Sequence, residues 1–167
     1  MDLPEDSPIA FGYIVDVLFG NDVQGAINKG SDADKAQLTW CQVYVLALKL
    51  GRQDIADHTP MGLRFGWCKW NQSLGHLSPV STAAVKFLYD NTYQDCKMRA
   101  SFVSRARSQY LKLKCFTNEQ LQQWTETIGC HPQFLFDVML AVKKHMLAGA
   151  NEEIPCDLAT CAFHRPQ

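Results

Sequence analysis

Apolar positions recur along this chain at three- and four-residue spacing, the period of a helix that buries one face, and no β-α-β rhythm interrupts the pattern. Phe11, Ile14, Val15, Leu18 and Phe19 form the first such run. Asp6 or Ser7 can cap it, Pro8 suits its first turn, and Gly20-Asn21-Asp22 stops it. The polar stretch from Val23 to Asp34 reads as a loop, with room for at most one minor strand in Val23–Lys29. The clearest helix follows, from about Asp34 to Leu50. Leu38, Cys41, Val45, Leu46 and Leu48 give its apolar side, Trp40 and Tyr44 lie alongside, and Gly51 suits the left-handed position past its end. Tyr44, Leu46 and Leu50 are expected to be buried.

The pattern then continues with interruptions. Ile55 and Ala56 open a helical piece that Pro60 is expected to interrupt or restart. Met61, Leu63, Phe65, Trp67 and Cys68 carry it on, weakened by Gly62 and Gly66, into a polar linker at Asn71–His76. Ser78-Pro79 opens the next helix, with Val80, Ala84, Val85, Phe87 and Leu88 apolar and Asn91-Thr92 at its end. Lys97–Leu113 reads as a longer helix. Thr117 and Gln120 have capping-box spacing ahead of a helix whose Leu121 and Trp124 point inward and which Gly129 ends. Pro132 starts the last helix, carrying Phe134, Leu135, Val138, Met139, Val142 and Met146, with Lys143 and Lys144 facing water. The expected fold is all-α: a single-domain bundle of about six to eight helices over residues 1–150, followed by a tail at 151–167 that carries Cys and His.

Composition narrows the function. Hydrophobic residues make up 47% of the 167, which excludes a generically disordered chain. A formal net charge of -1 leaves no global field for nucleic-acid phosphates, so no nucleic-acid partner is expected. The start, Met1-Asp2-Leu3-Pro4-Glu5-Asp6, is acidic, unlike a secretory or transit signal, and every apolar run is broken well short of a membrane span. These features point to a cytoplasmic or nuclear protein without a membrane partner. Seven Cys, an odd number without an export signal, argue against a disulfide framework, and Cys41, Cys68 and Cys96 read as small buried hydrophobes.

No nucleophile elbow, phosphate-binding loop, dinucleotide glycine pattern or His-Glu-x-x-His motif is present, and no catalytic residue or cofactor is expected. Asp54 with Asp57, and Glu152-Glu153, read as solvated acids. The basic run Lys97, Arg99, Arg105, Arg107, Lys112, Lys114 reads as a solvated helix surface, with an acidic partner segment as the alternative. Cys156, Cys161 and His164 are residues that can hold zinc, but their spacing is unusual and a fourth ligand would have to come from Cys115, Cys130 or His131. The expectation is therefore no metal, with Phe163 anchoring the tail by burial.

Three segments carry a family resemblance. Asp6-Ser7-Pro8-Ile9-Ala10-Phe11 through Leu18-Phe19-Gly20 resembles a late helix of the BTB/POZ domain. Leu38 followed by Tyr44-Val45-Leu46-Ala47, Leu50-Gly51 and Asp54-Ile55 resembles the helix after it. Val85-Lys86-Phe87-Leu88-Tyr89-Asp90-Asn91-Thr92 and the Cys161-Ala162-Phe163-His164 tail resemble later parts of fungal BTB proteins. The resemblance spans roughly residues 6–164 and lies with the later part of that architecture; the small sheet that precedes it in the family has no counterpart here, so the chain reads as a truncated form. The resemblance implies protein–protein interaction, as a ubiquitin-ligase adaptor or a transcription-linked scaffold.

The leading expectation is thus an adaptor or scaffold without its own catalytic centre. It would bind a protein partner, or a second copy as a homodimer, through an apolar helical surface of Phe11, Ile14, Val15, Leu18, Phe19, Trp40 and Tyr44. The alternative is a small helical enzyme or accessory subunit that holds an apolar molecule between helices.

Overall fold

The computed structural model describes residues 7–21, 27, 32–74, 79–113 and 116–148. Every regular element among them is a helix: α1 (Pro8–Leu18), α2 (Ala33–Lys49), α3 (Gln53–Leu74), α4 (Thr82–Asn91), α5 (Lys97–Tyr110), α6 (Asn118–Gly129) and α7 (Pro132–Ala148). The fold is all-α, as the periodicity requires. Apart from Ile27, which is buried, the segment considered for a minor strand lies outside the described residues.

Local chemistry sets most of the boundaries. Ser7 accepts from the Ala10 N–H with Pro8 beside it, and Gly20 turns left-handed after α1 at φ 75°. Gly51, at φ 68°, does the same after α2. Thr117 and Gln120 complete a reciprocal capping box, leaving two fewer helix-end N–H groups without partners. Three boundaries differ from the sequence pattern. The cap of α4 is Ser81 rather than Ser78, α5 ends at Tyr110, and α3 runs unbroken through Pro60 into the stretch expected to be a linker. Pro60 removes one backbone bond, but it is buried about a turn from the core residues Ala56 and Leu63, and that packing outweighs the loss.

α2 is the central helix. It packs on α1, α3 and α4, while α5 packs on α3 and α7, and α6 closes against α7. Contact on several sides explains why Trp40 and Tyr44 are buried along with Cys41, Val45 and Leu46. Gly62 lets α3 approach α2 closely: a Cβ there would lie 2.4 Å from Trp40 Cη2. The glycine that weakens α3 as an isolated helix therefore makes room for the indole. Leu50 departs from expectation. It caps α2 and is 37% exposed, because the helix ends at Lys49 and the chain turns away at Gly51.

Polar ties lock the helices in register. The buried Gln37 amide donates to the Pro79 carbonyl at 2.9 Å and accepts from the Ser81 N–H at 3.0 Å, joining α2 to the start of α4. Tyr89 donates to Asp137 at 2.9 Å, joining α4 to α7. Burial, followed by that carboxylate, pushes the Tyr89 phenol far up, so it stays a donor.

Candidate interaction surface

The residues of the basic run differ in burial: Arg107 and Lys112 are half-buried, and Lys114 lies outside the described residues. Lys97 is solvent-exposed and pairs with Asp57 of α3 at 2.9 Å. Arg99 and Arg105 are buried, contrary to the solvated surface that their charge suggested. Arg99 donates to the carbonyls of Tyr89 and Thr92 and to the Thr92 hydroxyl, and its guanidinium lies 4.1 Å from the centre of the Tyr89 ring. It thus neutralises the C-terminal end of α4, where carbonyls lack helical partners and the dipole is negative. Arg105 lies over the Trp67 ring at 5.4 Å, with Trp67 edge-on to Phe102. Neither buried guanidinium is presented to an external acid or phosphate.

Several thiols and carboxylates are likewise buried or engaged. Cys41 and Cys68 are buried, as expected, and burial pushes the Cys41 thiol well up, away from the reactive thiolate. Cys96, expected to be buried, is only half-buried because it stands at the start of α5 and caps it, its sulfur accepting from the Arg99 N–H. Tyr44 is pushed up to about 12, first by burial and then by Cys96. Asp54 is exposed but engaged: the Arg52 guanidinium holds its carboxyl down at about 2. No group of three or more metal-ligating side chains occurs among the described residues, and Cys115, Cys156, Cys161 and His164 lie outside them. Cys130 and His131 are described; the Cys130 thiol approaches the Thr82 carbonyl at 3.9 Å, and His131 accepts from the Gln133 N–H.

A surface cleft of about 300 Å³ opens between the beginnings of α2 and α4, lined by Asp34, Lys35, Leu38 and Thr82 among others. Asp34 has its carboxyl raised by partial burial and by Asp32. Ser81, which also lines the cleft, caps α4 by accepting from the Ala84 N–H.

Apolar surface is the more prominent feature, and it has two parts. On α1, Ala10 and Ile14 face inward against α2. Beside them Phe11, the half-buried Val15 and Leu18 form an outward strip, and Phe19 extends it past the end of the helix. Phe11 is 48% exposed, Leu18 53% and Phe19 80%. The surface inferred from the sequence therefore divides. Phe11, Val15, Leu18 and Phe19 make an outer strip, whereas Ile14, Trp40 and Tyr44 are buried core residues and are corrected out of it. The burial of Trp40 and Tyr44 follows from α2 being covered on several sides, and that of Ile14 from α1 packing on α2.

The second part was not singled out from the sequence. Leu135, Phe136, Met139, Leu140, Met146 and Leu147 of α7 are all exposed, while Phe134, Val138 and Val142 are buried in the core, Phe134 against the Tyr89 ring of α4. Leu121 of α6, expected to point inward, is also exposed. The signal was in the pattern. Phe134, Val138 and Val142 already fill one face at four-residue spacing, so the remaining apolar residues of α7 have to occupy a second arc. Comparison with protein-family models, with curated proteins and with solved structures finds no match to this chain.

Proposed function

We propose that this chain is a protein-interaction module, an adaptor or scaffold that engages a protein partner through the outer strip of α1. The observation that carries the reading is that strip: Phe11, Val15, Leu18 and Phe19 side by side on a helix whose other face is already committed to α2. Large apolar side chains grouped on a surface mark interaction sites, because burying them is worth on the order of 25 cal/mol per Å². The BTB/POZ resemblance of the α1, α2 and α4 segments supports the same class of function, with ubiquitin-ligase adaptor and transcription-linked scaffold as its subtypes.

In isolation the same strip brings two copies together, since twofold pairing is the commonest way to cover such a surface. The test is light scattering across a dilution series on the wild type and on a Phe11→Ser/Leu18→Ser variant. The expected result is a concentration-dependent dimer that the variant loses while its circular dichroism remains helical. Both side chains are about half exposed, so the stability of the variant should stay within about 0.5 to 1 kcal/mol of the wild type. A strict monomer at high micromolar concentration overturns the homodimer. A partner from native cells retained equally by wild type and variant overturns the assignment of the strip.

A further inference from the structure

We propose that the outer face of α7 is a docking site for this chain's own segment 152–163. The inference is independent of the α1 reading, since α1 packs on α2 and α7 on α5 and α6.

The face has a definite chemistry. At 100° per residue, Leu135, Met139 and Met146 line one side of the exposed arc and Phe136, Leu140 and Leu147 the other. Lys143 falls between these rows and Lys144 at their edge, both exposed. Among the described residues neither lysine pairs with a carboxylate. The one acid of α7, Asp137, is half-buried and already accepts from Tyr89 and Gln133. A fitting occupant therefore carries apolar side chains and acids together. A second copy packing α7 on α7 would bring more lysines and no unengaged acid.

Residues 152–163 match that requirement. Glu152, Glu153 and Asp157 supply the acids, Ile154, Leu158, Cys161 and Ala162 supply apolar groups at three- and four-residue spacing, and Phe163 adds an aromatic group next to them. Gly149-Ala150-Asn151, a short connection rich in turn residues, stands between α7 and this segment, of a length that allows an antiparallel return. The reach suffices. Residues 149–163 span about 22 Å at helical rise and about 50 Å extended, against about 25 Å for α7. Direct tethering holds the segment beside the face at an effective concentration on the order of millimolar. Docking would keep the face from other partners until the segment is displaced.

Methionine oxidation by dilute peroxide on the full chain tests this, because the protein carries its own reference. Met61 on α3 is 55% exposed, Met139 39% and Met146 64%. Bare, Met146 would oxidise at least as fast as Met61. With the segment docked, Met139 and Met146 oxidise several-fold more slowly than Met61, at a ratio that does not change on dilution. A Leu158→Asp/Phe163→Asp variant, which alters no described residue, brings both up to the rates their exposure predicts. Lys143→Glu/Lys144→Glu does so in part. Oxidation of Met146 at the Met61 rate in the wild type overturns the proposal. Protection lost on dilution overturns it in favour of a second copy, and protection that survives the Leu158→Asp/Phe163→Asp change overturns it in favour of another cover.

Discussion

Leu46 and Leu140 are the same residue type on helices of 17 residues each, yet they meet opposite environments. Leu46 lies on α2 and is almost fully enclosed by neighbouring helices. Leu140 lies on α7 and faces outward beside Phe136 and Leu147. The difference comes from position in the bundle rather than from local pattern. A central helix is covered on several sides and can bury apolar residues over most of its circumference. A helix at the margin can bury one stripe, so additional apolar residues form a surface. In α2 the wide apolar arc makes a core; in α1 and α7 it makes two candidate binding faces.

The largest expected effect tests the core side of that contrast. Leu46→Ala should destabilise the protein by about 2–5 kcal/mol in urea unfolding, because the cavity is enclosed. The same truncation at Leu50, partly exposed at the end of α2, should cost under about 1 kcal/mol. Equal losses at the two sites would mean that the boundary between core and surface has been misplaced.

Close packing between α2 and α3 is tested next. Gly62→Ala gains helix propensity worth up to about 1 kcal/mol, yet its new methyl meets the Trp40 ring. Overpacking should win, for a net loss of about 1–3 kcal/mol. A Gly62→Ala/Trp40→Leu double variant should recover part of that loss, since the leucine leaves room for the methyl. A stabilised Gly62→Ala would show that the helices can separate at low cost.

The smallest effect concerns the exposed tie between α3 and α5. Lys97, then Gln53, hold the Asp57 carboxyl below its ordinary value. A folded-state pKa below the unfolded value of about 3.9 contributes stability that is present above that pH and lost as pH falls through the folded value. Asp57→Asn should therefore narrow the stability difference between neutral and acid pH by a small amount, reduced further by salt. A pH profile identical to the wild type would show that the tie contributes nothing measurable.

Several features were legible in the sequence because they depend on neighbours in the chain. Ser7-Pro8, Gly51 and the Thr117/Gln120 box mark helix ends through bonds made within a few residues, and the structure places those ends accordingly. The burial of Cys41 and Leu46 followed from helical spacing. Of the candidate surface, Phe11, Leu18 and Phe19 were legible as apolar residues whose outward facing the structure supplies.

Other features were settled only by partners distant in sequence. Pro60 and the glycines of α3 read as interruptions, but burial of Pro60 and the approach of Trp40 to Gly62 sustain one long helix. Arg99 and Arg105 read as solvated charge, because a sequence does not reveal that the end of α4 and the Trp67 ring await them. Ile14, Trp40 and Tyr44 differ from Phe11 and Phe19 only in what lies across from them. The sequence by itself determined an all-helical chain, several of its helix ends and an excess of apolar residues, since propensity, capping and periodicity act over one or two helical turns. The tertiary structure alone decided which helix is central, which charges are enclosed and which apolar arcs remain outside, because each depends on contacts between residues tens of positions apart.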